Sequence, residues 1–219
     1  MNLVTFRLIR LLLGLVLYGA GCALTISAGL GVDPWTVLAQ GLARHTGIGV
    51  GWVTNIVGLT VMLLWIPLRQ RPGLGTLANV LLVGTSMQVV VNLMPPVDGL
   101  LARIAVLAAG IVLVALASGL YIGARLGPGP RDGLMTGVSA RFGTPIWLAR
   151  GSIELSVLGV GWLLGGDVGV GTVAFAVLIG PLVHVALGLL DTAPRPRAAA
   201  DAPRVVTPAG NSTHPRSHE

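Results

Sequence analysis

The sequence predicts an all-α membrane protein in which six transmembrane helices form an inverted 3+3 repeat and two short helices do not cross the bilayer. Three observations support this fold class. Charged residues make up only 10% of the 219 residues, whereas soluble chains contain about a quarter. Charge-poor apolar runs of about 18 residues or more recur along the chain, as is typical of transmembrane helices. A shift of 96 positions aligns the chain with itself without a gap.

Six segments have the length and apolar composition of a membrane span, which requires about 20 residues. Tryptophan residues near both ends of the second and fifth segments suit the aromatic belt of a membrane interface. The predicted spans are residues 8–28, 50–68, 76–93, 101–124, 146–164 and 172–190. Beyond them, residues 191–219 are rich in Pro, Ala and Arg and predict a disordered cytoplasmic tail.

Two more polar segments, residues 33–47 and 130–143, are too short to cross a bilayer. Each follows a Leu-Gly pair, has a proline three residues after that glycine, and closes with Gly-x(5)-Gly. Asp33 and Pro34 suit the N-cap and the first helical position of the first segment. Both segments therefore predict short helices that do not span. They are either re-entrant or lie flat at the interface on an apolar stripe.

The internal repeat rests on residue types that an apolar composition does not explain. Glycine, proline, arginine and threonine coincide under the shift, as in Arg7 with Arg103, Pro34 with Pro130, and Thr76 with Thr172. The two copies, residues 1–96 and 97–190, each hold three spans and one short helix. An odd number of crossings gives the copies opposite orientations, which predicts the inverted repeat common among transporters.

The arginine distribution predicts how the protein is oriented. With the N-terminus inside, only Arg44 and Arg103 fall on the outer side. The inner side receives Arg7, Arg10, Arg69, Arg71, Arg125, Arg131, Arg141, Arg195 and Arg197. This asymmetry satisfies the positive-inside rule, so both termini are expected in the cytoplasm.

Glu154 is the sharpest candidate for a functional residue, because it lies within the fifth predicted span with Arg150 one turn earlier. A charge inside a membrane is costly and usually faces a cavity or a partner. Two interpretations stay open: the two residues contribute to a substrate or proton site, or they form a structural pair at i and i+4. Asn55, in the second span, is a further polar candidate, although such residues commonly form interhelical hydrogen bonds.

The starts of the two short segments supply the remaining candidates, Asp33, Arg131 and Asp132. Free N–H groups at a helix start attract anions, and Arg131 would strengthen this effect in the second segment. In the first segment, Asp33 as the N-cap would cancel this attraction for anions. If the second segment is re-entrant, Arg131 and Glu154 are expected to line one cavity.

Several classes of function are disfavoured. The net charge of +6 comes from arginines that lie at the ends of apolar spans, which favours membrane topology over nucleic-acid binding. The single cysteine, Cys22, excludes an intramolecular disulfide. Paired catalytic carboxylates, a nucleophile triad, a P-loop and a metal-ligand cluster are not recognisable, so the sequence predicts neither an enzyme nor a cofactor or metal site.

Four motifs together carry a family resemblance: LGxxPW, RQRPGxGTxxN, GPGPRDGLM and GWLLGGxxGxGT. With these motifs the chain resembles the YczE/YyaS/YitT group of bacterial integral membrane proteins, and the YczE type in particular, over roughly residues 5 to 190. The resemblance implies a multi-pass protein of the bacterial inner membrane. It implies no catalytic residues.

The architecture predicts secondary transport or export of a small solute, such as one with an anionic group, by alternating access around a site near the membrane midplane. The expected partners are the lipid bilayer, the solute and, in a homo-oligomer, further copies of the chain. Two alternatives remain open at this stage. One is a non-transporting membrane scaffold or accessory partner of another protein complex, and the other is a passive channel.

Overall fold

The computed structural model describes residues 2–190, and within them the chain is helical, with no strand. The eight helices are α1 (Leu3–Ala28), α2 (Pro34–Thr46), α3 (Val50–Leu63), α4 (Leu74–Leu93), α5 (Leu100–Gly123), α6 (Pro130–Phe142), α7 (Ile146–Leu163) and α8 (Val170–Leu190). The tail predicted for residues 191–219 lies outside the described residues.

Five helices are long and apolar enough to cross a membrane: α1, α4, α5, α7 and α8. A sixth crossing requires α2 and α3 together, and these two helices are bent by 113° at a short break. The second span, predicted to reach residue 68, therefore differs from α3, which ends at Leu63. The chain continues in turns, because Pro67 lacks an N–H donor and Arg69 has a positive φ of 54°.

Residues that are 96 positions apart share an unusual backbone conformation. Eight of the described residues with positive φ form four pairs that are 96 positions apart. The pairs are Gly29 with Arg125, Gly31 with Gly127, Gly47 with Gly143, and Arg69 with Gly165. Because a positive φ is uncommon outside glycine, chance does not account for this agreement.

The two halves also exchange equivalent hydrogen bonds. The N–H of Gly75 donates to the carbonyl of Leu126 at 2.8 Å, and the N–H of Gly171 donates to the carbonyl of Leu30 at 2.7 Å. The donors are 96 positions apart, and so are the acceptors. Each half therefore holds the chain that leads into the short helix of the other half.

The centre of the molecule is the crossing of α1 and α5, with α4 packed on α1 and α8 packed on α5. Small residues allow this crossing: a Cβ on Gly14 would lie 2.8 Å from the backbone nitrogen of Tyr121, and one on Gly110 would lie 2.9 Å from the carbonyl of Gly21. Close backbone approach at small residues is the usual mode of helix packing in membranes.

The peripheral helices of the two halves pack differently. α3 lies directly on α4, where the backbones meet at Gly51 and Gly84. The corresponding α7 packs on α2 and α6, and has little contact with α8. A Cβ added at Gly151 or Gly180, the counterparts of Asn55 and Gly84, would meet no atom of the described chain within 4 Å. The α3–α4 interface is thus closed, whereas the α7–α8 interface is open.

This difference predicts unequal effects of one substitution at two equivalent positions. Gly84→Ala would place a Cβ 2.1 Å from the carbonyl oxygen of Gly51, so we expect a loss of about 1–3 kcal/mol in unfolding free energy from overpacking. Gly180→Ala should be neutral or slightly stabilising, since alanine favours helix. Thermal unfolding of both variants in detergent measures the difference, and equal melting temperatures would contradict this packing.

Candidate functional site

A cavity of about 410 Å³ lies between the short helices and the spans around them. Its walls come from α1, α3, α4, α5, α7 and α8, and from the starts of α2 and α6. The structure brings all six residues singled out from the sequence to this one cavity. They are Asp33, Asn55, Arg131, Asp132, Arg150 and Glu154.

The first turns of the two short helices meet at this cavity through an ion pair. Nη1 of Arg131 lies 3.2 Å from Oδ1 of Asp33, whose side chain is only 4% exposed. Asp33 is the N-cap of α2, as expected, and also accepts hydrogen bonds from the backbone N–H and the hydroxyl of Thr36. The guanidinium of Arg131 stacks over the ring of Trp35 at 5.1 Å. Two helix starts that are far apart in sequence are therefore locked together.

The charge of Arg131 is maintained despite its surroundings. Burial acts to lower the pKa of this guanidinium, but Tyr18, Asp33 and other acidic groups act in the opposite sense and leave the pKa above its ordinary value. Since Asp33 neutralises Arg131 and Trp35 covers one face of the guanidinium, Arg131 is not a free cation for a solute.

The start of α6 is anchored by neighbours instead of by a capping side chain, since its N-cap is Gly129. The indole N–H of Trp65 donates to the carbonyl of Pro130 at 3.0 Å. Asp132, in the first turn, accepts a hydrogen bond from the hydroxyl of Tyr121 at 3.2 Å. The position also favours its negative charge, because helix starts stabilise anions.

Glu154 and Arg150 do not form the structural pair that their spacing allows. No ion pair joins them in the part of the chain that the structure describes. Glu154 is partly buried and faces the cavity, whereas Arg150 is exposed. Arg131, Arg150 and the indole N–H of Trp35 act electrostatically on the Glu154 carboxylate. The Trp35 N–H is buried and makes no hydrogen bond of good geometry to the described residues.

Asn55 has a structural role as well as a place in the cavity wall. Its Nδ2 donates to the hydroxyl of Thr85 at 3.1 Å and to the carbonyl of Leu81 at 3.3 Å, which ties α3 to α4. Its Oδ1 has no hydrogen-bond partner within residues 2–190 and packs against Gly84. This is the interhelical bonding expected of a polar residue in a span.

The polar side of α2 contacts the loop before α8, and its residues Thr36 and Gln40 are buried whereas Arg44 is exposed. The amide oxygen of Gln40 accepts from the backbone N–H of Asp167 at 3.0 Å, and Arg44 forms an ion pair with Asp167 at 2.7 Å. Thr36 is fully buried. The polar side of α2 is therefore buried at the start and middle of the helix and exposed at its end.

Sequence reasoning missed the aromatic residues that frame the cavity. Tyr18 and Tyr121 pack edge to face at 6.1 Å between ring centroids, and both line the cavity. Trp35 was not among the candidate residues either, yet its ring lies against the guanidinium of Arg131. The isolated tyrosines lie within apolar runs and carry no sequence signal, whereas the position of Trp35 beside Pro34 could have indicated the importance of this helix start.

Apolar helices of spanning length around a cavity lined by charged residues define a multi-pass α-helical membrane protein. Residues 5–187 match a family described as a family of unknown function (DUF6198). The chain belongs to this family, the YczE/YyaS-type group, as its motifs indicated.

Curated relatives cover most of the chain. An uncharacterized protein of Haemophilus influenzae is 41% identical over 84% of this chain and 84% of its own. The uncharacterized membrane protein YczE of Bacillus subtilis is 33% identical over 80% of this chain and 82% of its own. The uncharacterized protein YyaS of the same organism is 26% identical over 82% of this chain and 91% of its own. No solved structure matches the chain.

Proposed function

We propose that the protein is a secondary transporter or exporter of a small solute, and that the cavity between the short helices and the spans is its substrate site. The observation that carries this proposal is the meeting of both short-helix starts and Glu154 at one cavity. Transporters commonly bind substrate between two repeats, at the ends of broken or non-spanning helices. Binding and release in this proposal involve no covalent chemistry.

In this proposal α2 and α6 are re-entrant helices whose starts meet near the membrane midplane. The support comes from their connections. Leu30 and Leu126 are held at the starts of α8 and α4, respectively, near opposite ends of the α1–α5 crossing. The short extended segments that follow nonetheless bring Asp33 and Arg131 into contact. Each segment must therefore run inward before its helix turns back.

Alternating access follows if residues 1–96 and 97–190 form an inverted repeat. The support is the agreement of positive φ values and of exchanged hydrogen bonds at positions 96 apart. In such a protein the two halves hold different conformations at any moment, and exchange them to expose the site to the other side. The closed α3–α4 interface and the open α7–α8 interface provide that difference.

Liposome reconstitution tests this function. Uptake of a solute that saturates and depends on an imposed proton or sodium gradient is the expected result. Unsaturable flux would favour a channel. Absence of flux for every solute tested, with a protein partner that co-purifies stably, would favour the scaffold.

The proposed orientation places both termini in the cytoplasm of a bacterial cell with the protein in the inner membrane. In a Cys22→Ala background, Asp98→Cys, in the exposed α4–α5 loop, should react with an impermeant maleimide added to intact cells. Arg71→Cys, in the α3–α4 loop, should react only after permeabilisation. The reverse pattern would contradict the orientation, and equal labelling of both would contradict a crossing by α4.

A further inference from the structure

The ionisable residues that line the cavity have an excess of negative charge. Three are acidic and two are basic, so their formal charges sum to one negative unit. They are Asp33, Asp132, Glu154, Arg131 and Arg150. An uncompensated charge within a membrane-spanning helix is costly, so a positive charge from elsewhere would stabilise the site.

We expect the balancing positive charge to lie beside Glu154. Asp33 is paired with Arg131 and bonded by Thr36, and Asp132 is bonded by Tyr121. Glu154 has no ion pair with any described residue. Arg150 lies one turn away but is exposed and does not contact it closely. A proton or a bound cation is what would neutralise this carboxylate.

The rest of the cavity wall is apolar, and its size suits a small organic molecule. A volume of about 410 Å³ lies in the range of ligand pockets and leaves room for one ring with a short substituent. The apolar side chains come mainly from α3, α4 and α8: Val57, Val61, Val80, Val83, Phe175 and Ile179. Inorganic cations would gain nothing from such walls, whereas an amine with an apolar body would.

We propose that this cavity binds a protonated amine with an apolar body, and that the amine exchanges with a proton on Glu154. The protonated carboxyl releases its proton when the ammonium group arrives, and takes a proton up again when the amine leaves. The groups that face this exchange are Asp33 of α2, Arg131 and Asp132 of α6, Arg150 of α7 and the hydroxyls of Tyr18 and Tyr121. The inference rests on the proposed transport function and names its substrate class.

Titration calorimetry on the full chain in lipid nanodiscs tests the charge preference with three probes of similar size. They are benzylammonium, benzoate and benzyl alcohol. We expect benzylammonium to bind at least about tenfold more tightly than the other two. Titrations in buffers of different ionisation enthalpy should also show proton release on binding. Preferred binding of benzoate, or benzylammonium binding without release of a proton, would overturn the proposal.

Two variants on α7 change the charge in opposite directions. Glu154→Gln removes the excess negative charge and should weaken benzylammonium binding by about tenfold or more, with loss of proton release. Glu154→Asp should restore both, which separates a charge effect from misfolding. Arg150→Gln adds to the excess of negative charge at the cavity and should tighten benzylammonium binding. Weaker binding in Arg150→Gln, or unaltered binding in Glu154→Gln, would refute the assignment.

The outcomes separate this inference from the transport function. Saturable transport of a solute together with a preference for benzoate would overturn the amine inference alone. Benzylammonium binding with proton release, but no flux of any solute across liposomes, would overturn the transport function and leave the binding site in place.

Discussion

Glu154→Gln is expected to reduce transport to background while changing the unfolding free energy by less than about 1 kcal/mol. The carboxylate faces the cavity and has no ion-pair partner among the described residues, so glutamine preserves shape and removes only the titratable charge. Flux into liposomes and thermal unfolding in detergent measure the two effects. Ser152→Ala is the matched control, because Ser152 is exposed on the same helix and donates its hydrogen bond within that helix.

The structural interpretation of the Arg150 and Glu154 pair makes a different prediction. If the pair stabilised the fold, either single alanine variant would strand a charge and cost about 3–5 kcal/mol. The double variant, Arg150→Ala with Glu154→Ala, would then recover much of that stability. Recovery of both stability and transport in the double variant would show that Glu154 has no role in the site.

Most helix positions could be predicted from the sequence, because they depend on local signals. Six of the eight helices within residues 2–190 begin and end within about two residues of the predicted bounds. Both short helices begin at a proline and end before a glycine with positive φ, Gly47 or Gly143. Proline at the first helical position and glycine after the last are short-range rules that tertiary packing does not override here.

The predicted end of the second span was wrong because the helix ends at a contact between residues distant in sequence. The run from Val50 to Leu68 is mostly apolar, and its one proline, Pro67, lies four residues beyond the observed end of the helix at Leu63. The chain turns so that Trp65 is buried with its indole N–H bonded to Pro130, at the start of α6. A bond between residues 65 positions apart leaves no periodic signal.

The candidate residues could be chosen from the sequence, but their partners could not. The six candidates were polar or charged residues in a span and charged residues at a helix start, and all six line one cavity. The ion pair between Asp33 and Arg131 joins positions 98 apart and depends on how the two halves pack. The pair that spacing suggested, between Arg150 and Glu154, is absent from the described chain. Both residues border the cavity, but Arg150 is exposed, Glu154 is partly buried, and no ion pair joins them.

Joining α7 to α8 by a disulfide is expected to stop transport. Gly151 and Gly180 have open space at their Cβ positions, so cysteines are tolerated there. Their counterparts in the first half, Asn55 and Gly84, are in direct contact. If the halves exchange conformations, the cysteines at 151 and 180 come together during the cycle. In a Cys22→Ala background, oxidation should cross-link them and reduce flux to background, and a reductant should restore it.

The control pair for this experiment is Gly159→Cys with Gly188→Cys, on the same two helices. Both positions are equally open. Because consecutive spans are antiparallel, these two positions lie about 24 Å apart along the helix axes when residues 151 and 180 are level. Oxidation should neither cross-link them nor slow transport. Efficient transport that persists after the 151–180 disulfide has formed would exclude alternating access through these interfaces, because the open α7–α8 gap could then have no part in the cycle.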